Sequence, residues 1–191
     1  MFLNPFTKSG GDPHVLAVSM TGVKLGDRVA FLGAGSPGRV AAIAAKVGLS
    51  GRATAAVPDE QSVARVNKAA ADAGVLVETD IADVQHLPYA AADFDLVVVD
   101  DTGALFEALG EGERAAVARE AARILRPGGR VVVVGAGEPA GLNRLMSRTP
   151  ASPLVRSGAV NALLAANGFG IVRTLAEREG LVFIEGLKPR T

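Results

Sequence analysis

The chain has 191 residues, 49% of them hydrophobic and 21% charged, which is enough for one domain with a sizeable core and short for two. Its 20 basic and 20 acidic side chains cancel, excluding a global field that would draw in nucleic acid or an anionic membrane, and the lack of cysteine excludes disulfides, thiolate zinc sites and a cysteine nucleophile. The start, MFLNPFTKSG, has no basic region followed by a long apolar run, and no uncharged apolar stretch approaches the ~20 residues of a bilayer span, so a cytoplasmic protein is expected.

Apolar runs of strand length alternate with alanine-rich runs of helical length. In chain order the pattern predicts a strand over Arg28–Leu32, a helix over Gly38–Val47, a strand over Ala53–Val57 and a helix over Glu60–Ala73. Strands over Val75–Glu78 and Asp95–Val99 follow, then a helix over Glu113–Leu125 and a strand over Arg130–Val134. A helix over Gly158–Asn167 precedes two last strands, Ile171–Leu175 and Leu181–Gly186. In the third helix Val117, Ala121, Ile124 and Leu125 share one face, and Pro127-Gly128-Gly129 is expected to end it.

LVVVD (96–100) and VVVVG (131–135) are apolar almost throughout rather than alternating. Strands covered by helices on both faces read this way, so the prediction is a doubly wound, Rossmann-like, mostly parallel sheet of seven strands. Ala176–Gly180 is too short for a crossover helix, so the last two strands must pair as an antiparallel hairpin. Residues 1–191 read as one domain, with 1–20 an N-terminal segment or lid and 138–155 a loop on the substrate side.

In an open parallel sheet, ligands bind beyond the carboxyl ends of the strands. After the first strand, VAFLGAGSPG (29–38) brings Gly33, Ala34, Gly35 and Ser36, whose main chain and hydroxyl can line a ligand or simply form a tight turn before a helix. After the second come Pro58, Asp59 and Glu60, where a carboxylate either accepts from ribose hydroxyls or serves as a helix-start charge. After the third, Asp83 can accept from an adenine amine, with the Val84 N–H on a ring nitrogen and Leu87 against the ring; its structural alternative is to cap a short turn. Asp100 and Asp101 end the fourth strand, where they can orient a substrate or cap the next turn. If an acceptor needs deprotonation, Asp100, Asp101 and His14 are the candidates, although a histidine after Asp-Pro also suits a helix start.

The segments VKLGDRVAFLGAGSPG, ADVQHLPYAAADFDLVVVD, REAARILRPGGRVVVVG and LLAANGFGIVR resemble, in order and separation, class I S-adenosylmethionine-dependent methyltransferases. They look most like the branch of the ubiquinone/menaquinone-biosynthesis-type enzymes, over roughly Thr21 to Lys188. The resemblance implies S-adenosyl-L-methionine as cofactor, with Gly33, Ala34 and Gly35 facing its methionine part and Asp83, followed by Val84, on its adenine. It also implies the terminal antiparallel hairpin. The chain departs from the family at Phe31, where an acid is usual, at Val57, where a ribose-binding acid is usual, and at Pro37, where a further glycine is common.

The leading expectation is therefore a methyltransferase acting on a small-molecule acceptor, with no bound metal, no nucleic acid and no membrane. A second reading is a methyltransferase-fold protein that has lost catalysis and acts as a binding or regulatory subunit. A third is an NAD(P)-binding oxidoreductase, since GAGSPG fits that fingerprint literally. Phe2, Leu3 and Phe6 either pack over an apolar substrate or bury in a homodimer partner, and Arg144, Met146 and Arg148 are candidates for the acceptor side.

Overall fold

Alternation along the central strands decides the layering. The protein is described here by a computed structural model covering residues 13–33, 35–138 and 151–190. In β4 (Phe94–Asp100), Leu96 and Val98 face one side of the sheet and Val97 and Val99 the other, and all four are buried. The split repeats in β1 (Arg28–Leu32), with Val29 and Phe31 opposite to Ala30 and Leu32, and in β5 (Leu125–Ala136), with Val132 and Val134 opposite to Val131 and Val133. One face packs on α1 (Val15–Thr21), α2 (Pro37–Val47) and α3 (Glu60–Ala73) through Ala17, Ile43 and Val66. The other packs on α4 (Glu111–Ile124), α5 (Pro153–Arg156) and α6 (Ala159–Ala166) through Val117, Val155 and Leu164. Burial on both faces is why these strands carry no polar alternation.

With β2 (Arg52–Val57), β3 (Glu78–Ile81), β6 (Ile171–Arg178) and β7 (Leu181–Leu187), the seven strands run in the order β3-β2-β1-β4-β5-β7-β6. The first five are parallel, and β7 is antiparallel to both β5 and β6. The expected hairpin is present, turned by Glu179 and Gly180 with φ of 56° and 72°, the paired left-handed geometry that matches strand twist. Strand order reverses between β1 and β4, which opens a crevice above their carboxyl ends.

Three local expectations shift. β3 begins at Glu78 rather than Val75, because α3 ends in a left-handed Gly74 and the Val75 N–H is spent on the Ala70 carbonyl. α4 ends at Ile124, one residue before the expected Leu125, and β5 starts at once and runs through Pro127-Gly128-Gly129, since Pro127 disfavours helical backbone at Arg126 and Leu125 pairs with Phe94. Val15–Thr21, where the sequence pattern predicts no helix and which overlaps the expected N-terminal segment or lid over 1–20, is helical, and its Ala17 is buried against the α2 and α3 side of the core.

Candidate functional site

A cleft of about 750 Å³ opens at the carboxyl ends of β1 to β4, lined by Gly33, Gly35, Pro58, Asp83, Val84, Asp100 and Leu105 among others. Its position follows from the strand order, and its walls from the loops after each strand. The glycine loop is tight for reasons internal to the protein. Gly33 has φ +76°, and a Cβ on Gly35 would lie 2.9 Å from both the Asp100 carboxylate and the Thr102 hydroxyl. Main chain rather than side chain therefore faces the cleft here.

Asp100 occupies the centre of this arrangement. As the next residue in the Leu96/Val98 series it points to the α2 side of the sheet, and it is 4% exposed. Its Oδ2 accepts from the Ser36 N–H at 3.1 Å and from Arg39 Nη1 at 2.6 Å, while Oδ1 accepts from the Thr102 N–H at 3.1 Å and hydroxyl at 2.5 Å. Arg39, 7% exposed in the first turn of α2, also reaches the Thr102 hydroxyl at 3.4 Å, and its Nε has no hydrogen-bond partner among the described residues. Such an orphan donor costs about 1–3 kcal/mol. Arg39 escaped the sequence reading, although the signal is there: with Ile43 and Val47 it forms an i, i+4, i+8 stripe on the buried face of the helix, and a charge on such a stripe needs a partner.

Asp101 alternates to the other face. It is 1% exposed, accepts from the Phe106 N–H at 2.7 Å and lies 3.4 Å from the Ser152 hydroxyl, which also hydrogen-bonds Glu107. Burial pushes its carboxyl from 3.8 up to about 6; the Phe106 N–H opposes this, the Glu107 charge adds to it, the Ser152 hydroxyl opposes it and the Asp100 charge adds to it. The raised value means the native state holds the proton more tightly than the unfolded chain. Stability is therefore expected to fall as pH rises from about 4 to about 6, by up to ~3 kcal/mol, and the Asp101→Asn variant to lack that slope in urea unfolding curves.

The remaining candidates separate. Asp83 and Val84 line the cleft, and the Gln85 N–H donates to Asp83 Oδ1 at 2.9 Å, so its carboxylate caps its own turn while still facing the cavity. Asp59 is the N-cap of α3, accepting from the Ser62 N–H at 2.7 Å, and that bond holds its carboxyl below the ordinary range. From this turn the cleft receives Pro58, Ser62 and Arg65 instead, the last two joined by a 2.9 Å hydrogen bond. Leu87 is buried in the core, with its N–H on Glu120 and its carbonyl on Arg123. His14 lies outside the crevice, over Gly38 in a groove between α1, α2 and α3. Ser36 caps α2 and contributes its N–H to Asp100. Ala34, Phe2, Leu3, Phe6, Arg144, Met146 and Arg148 lie outside the described residues.

A family model described as a methyltransferase domain matches residues 31–133, more than half of the chain. The chain belongs to the class I S-adenosylmethionine-dependent methyltransferases. The matched stretch runs from Phe31 through the glycine loop, Asp83 and Asp100 to Val133 of β5, so it contains every strand end that lines the cleft. The methyltransferase GfsG of Streptomyces halstedii is 29% identical over 131 residues, which is 69% of this chain; the chain spans 45% of that relative's length. Among solved structures, a SAM-dependent methyltransferase from Aquifex aeolicus superposes with a TM-score of 0.69 at 17% identity, covering 90% of this chain and 87% of that one. The [4+2]-cyclase SpnF superposes with a TM-score of 0.67 at 18% identity, covering 92% and 80%. At such identities the superpositions carry the fold alone. Among the described residues no helix is long and apolar enough to cross a membrane.

Proposed function

We propose that this chain is a single-domain, cytoplasmic S-adenosylmethionine-dependent methyltransferase acting on a small-molecule acceptor, in the branch resembling the ubiquinone/menaquinone-biosynthesis-type enzymes. The observation that carries this is the cleft: about 750 Å³ at the switch point of a seven-stranded sheet, walled by main chain at Gly33 and Gly35 and by Asp83, Val84 and Leu105. A cavity of that size with a few polar groups fits a nucleoside bearing an amino-acid arm. The branch assignment rests on Leu87-Pro88-Tyr89 ahead of Asp93-Phe94-Asp95 and on Leu125–Gly129.

S-adenosylmethionine supplies a methyl group already activated on a sulfonium. What remains for the protein is to orient an acceptor and exclude water, and a dedicated base is optional. Gly33 and Gly35 offer a close main-chain approach to the methionine part, and Asp83 with Val84 reads the adenine edge. Where an acceptor hydroxyl must lose its proton, the candidates are Asp100, Asp101 and His14, and of these burial raises the Asp101 carboxyl to about 6. Ala34 on the cofactor, His14 as a candidate base and a homodimer are further parts of this proposal.

One observation favours the non-catalytic reading. β2 ends in Val57, where the family usually places a ribose-binding acid, Asp59 is held in its cap, and a basic side chain, Arg65, is among the groups lining the cleft. Titration calorimetry with S-adenosylhomocysteine discriminates. Saturable heat at micromolar ligand supports the enzyme reading, and no heat at millimolar ligand overturns it; a parallel fluorescence titration with NADH tests the oxidoreductase reading.

A further inference from the structure

We propose that the buried Arg39–Asp100 ion pair holds the glycine loop in the place of the acid absent from position 31, making Arg39 a positioning residue that sets cofactor affinity. The inference rests on the cofactor reading above. Phe31 sits in β1 with its ring in the apolar cluster under α2, in register with Val98 of β4. Nothing acidic on β1 therefore supports the loop that follows it. Asp100 lies two residues beyond Val98 on the same face of the neighbouring strand, which brings its carboxylate to the Ser36 N–H, at the end of the loop and the cap of α2. The acid that reaches the loop thus stands one strand across the sheet from position 31.

Arg39 makes that relocation workable. A carboxylate 4% exposed needs compensation, and Arg39 Nη1 supplies it at 2.6 Å from behind, since Asp100 lines the cleft and Arg39 is buried in α2. Arg39 Nη1 bonds both Asp100 and the Thr102 hydroxyl, while Nε has no partner among the described residues. Buried ion pairs of this kind contribute little net stability and are best attested as devices that specify one arrangement.

The test is a double-mutant cycle in S-adenosylhomocysteine affinity by calorimetry on the full chain, using Arg39→Met, Asp100→Asn and the pair, with Arg39→Lys as the conservative variant. Each single change is expected to weaken binding by about tenfold or more, the double change by no more than the worse single one, and lysine to recover part of the loss. Single variants that fold and bind within about twofold of the parent overturn the proposal, as does strict additivity. Hydrogen exchange at the Ser36 amide, compared with Val98 in the core, reads the loop without any ligand. Selective loss of protection at Ser36 in Asp100→Asn or Arg39→Met supports the proposal, and unchanged protection overturns it. If the parent chain binds no S-adenosylhomocysteine, the cofactor reading fails while the exchange experiment still decides whether the pair holds the loop. Asp100→Asn is nearly isosteric, which keeps the exchange test available if Arg39→Met does not fold.

Discussion

Phe31→Asp, which restores the acid that the family usually carries, is expected to unfold the protein instead of improving its cleft. Phe31 is 2% exposed and packs with Val29, Ile43 and Val98 in the cluster beneath α2. Removing the ring alone, as in Phe31→Ala, costs about 3–5 kcal/mol. A carboxylate there would in addition be buried without a basic partner of its own, because Arg39 is committed to Asp100. Against a typical total of ~5–15 kcal/mol, that combination leaves little native protein. Circular dichroism and urea unfolding check it: Phe31→Ala should show a cooperative transition at lower urea, and Phe31→Asp none. A Phe31→Asp protein of near-parental stability would mean that the site tolerates an acid and that the apolar filling is incidental.

Asp83→Ala is expected to abolish or weaken S-adenosylhomocysteine binding by about ten- to a hundredfold while the fold persists. The carboxylate lines the cleft, and its side chain is 54% exposed, so its removal opens no core cavity. The structural loss is the turn bond to the Gln85 N–H, worth about 1 kcal/mol, together with an exposed contact to His86 at 3.6 Å. Calorimetry against unfolding midpoints separates the two effects. Parental affinity in this variant would move the adenine elsewhere in the cleft and undo the orientation assigned to Gly33 and Gly35.

The most recognisable motif turned out to brace the structure. Leu87-Pro88-Tyr89 is tied to α4 by Glu120 on the Leu87 N–H and by Arg123 on the Leu87 and Tyr89 carbonyls, and the Tyr89 ring meets Phe94 edge-on at 5.2 Å. These contacts hold the motif by packing, and they bury Leu87 in the core. Asp59 illustrates the converse. A carboxylate just before a helix is both a cap and a ligand group in sequence, and only the 2.7 Å bond to the Ser62 N–H selects the cap.

Much of the architecture was legible because it depends on near neighbours. Apolar runs over 96–99 and 131–134 require cover on both faces, and the segment Ala176–Gly180, too short for a crossover helix, requires an antiparallel pair. The sequence alone thus determined a doubly wound sheet, its terminal hairpin, the cleft at the strand ends, and Gly33, Gly35, Asp83 and Asp100 as its lining. Tertiary structure decided what those groups do. Arg39 and Asp100 are 61 residues apart, and Asp101, Glu107 and Ser152 meet across 51 residues or fewer, through strand register and the pleat that sends consecutive aspartates to opposite faces. Periodicity in a chain specifies which face a residue takes; which charge waits on that face is set only when the strands and helices have docked.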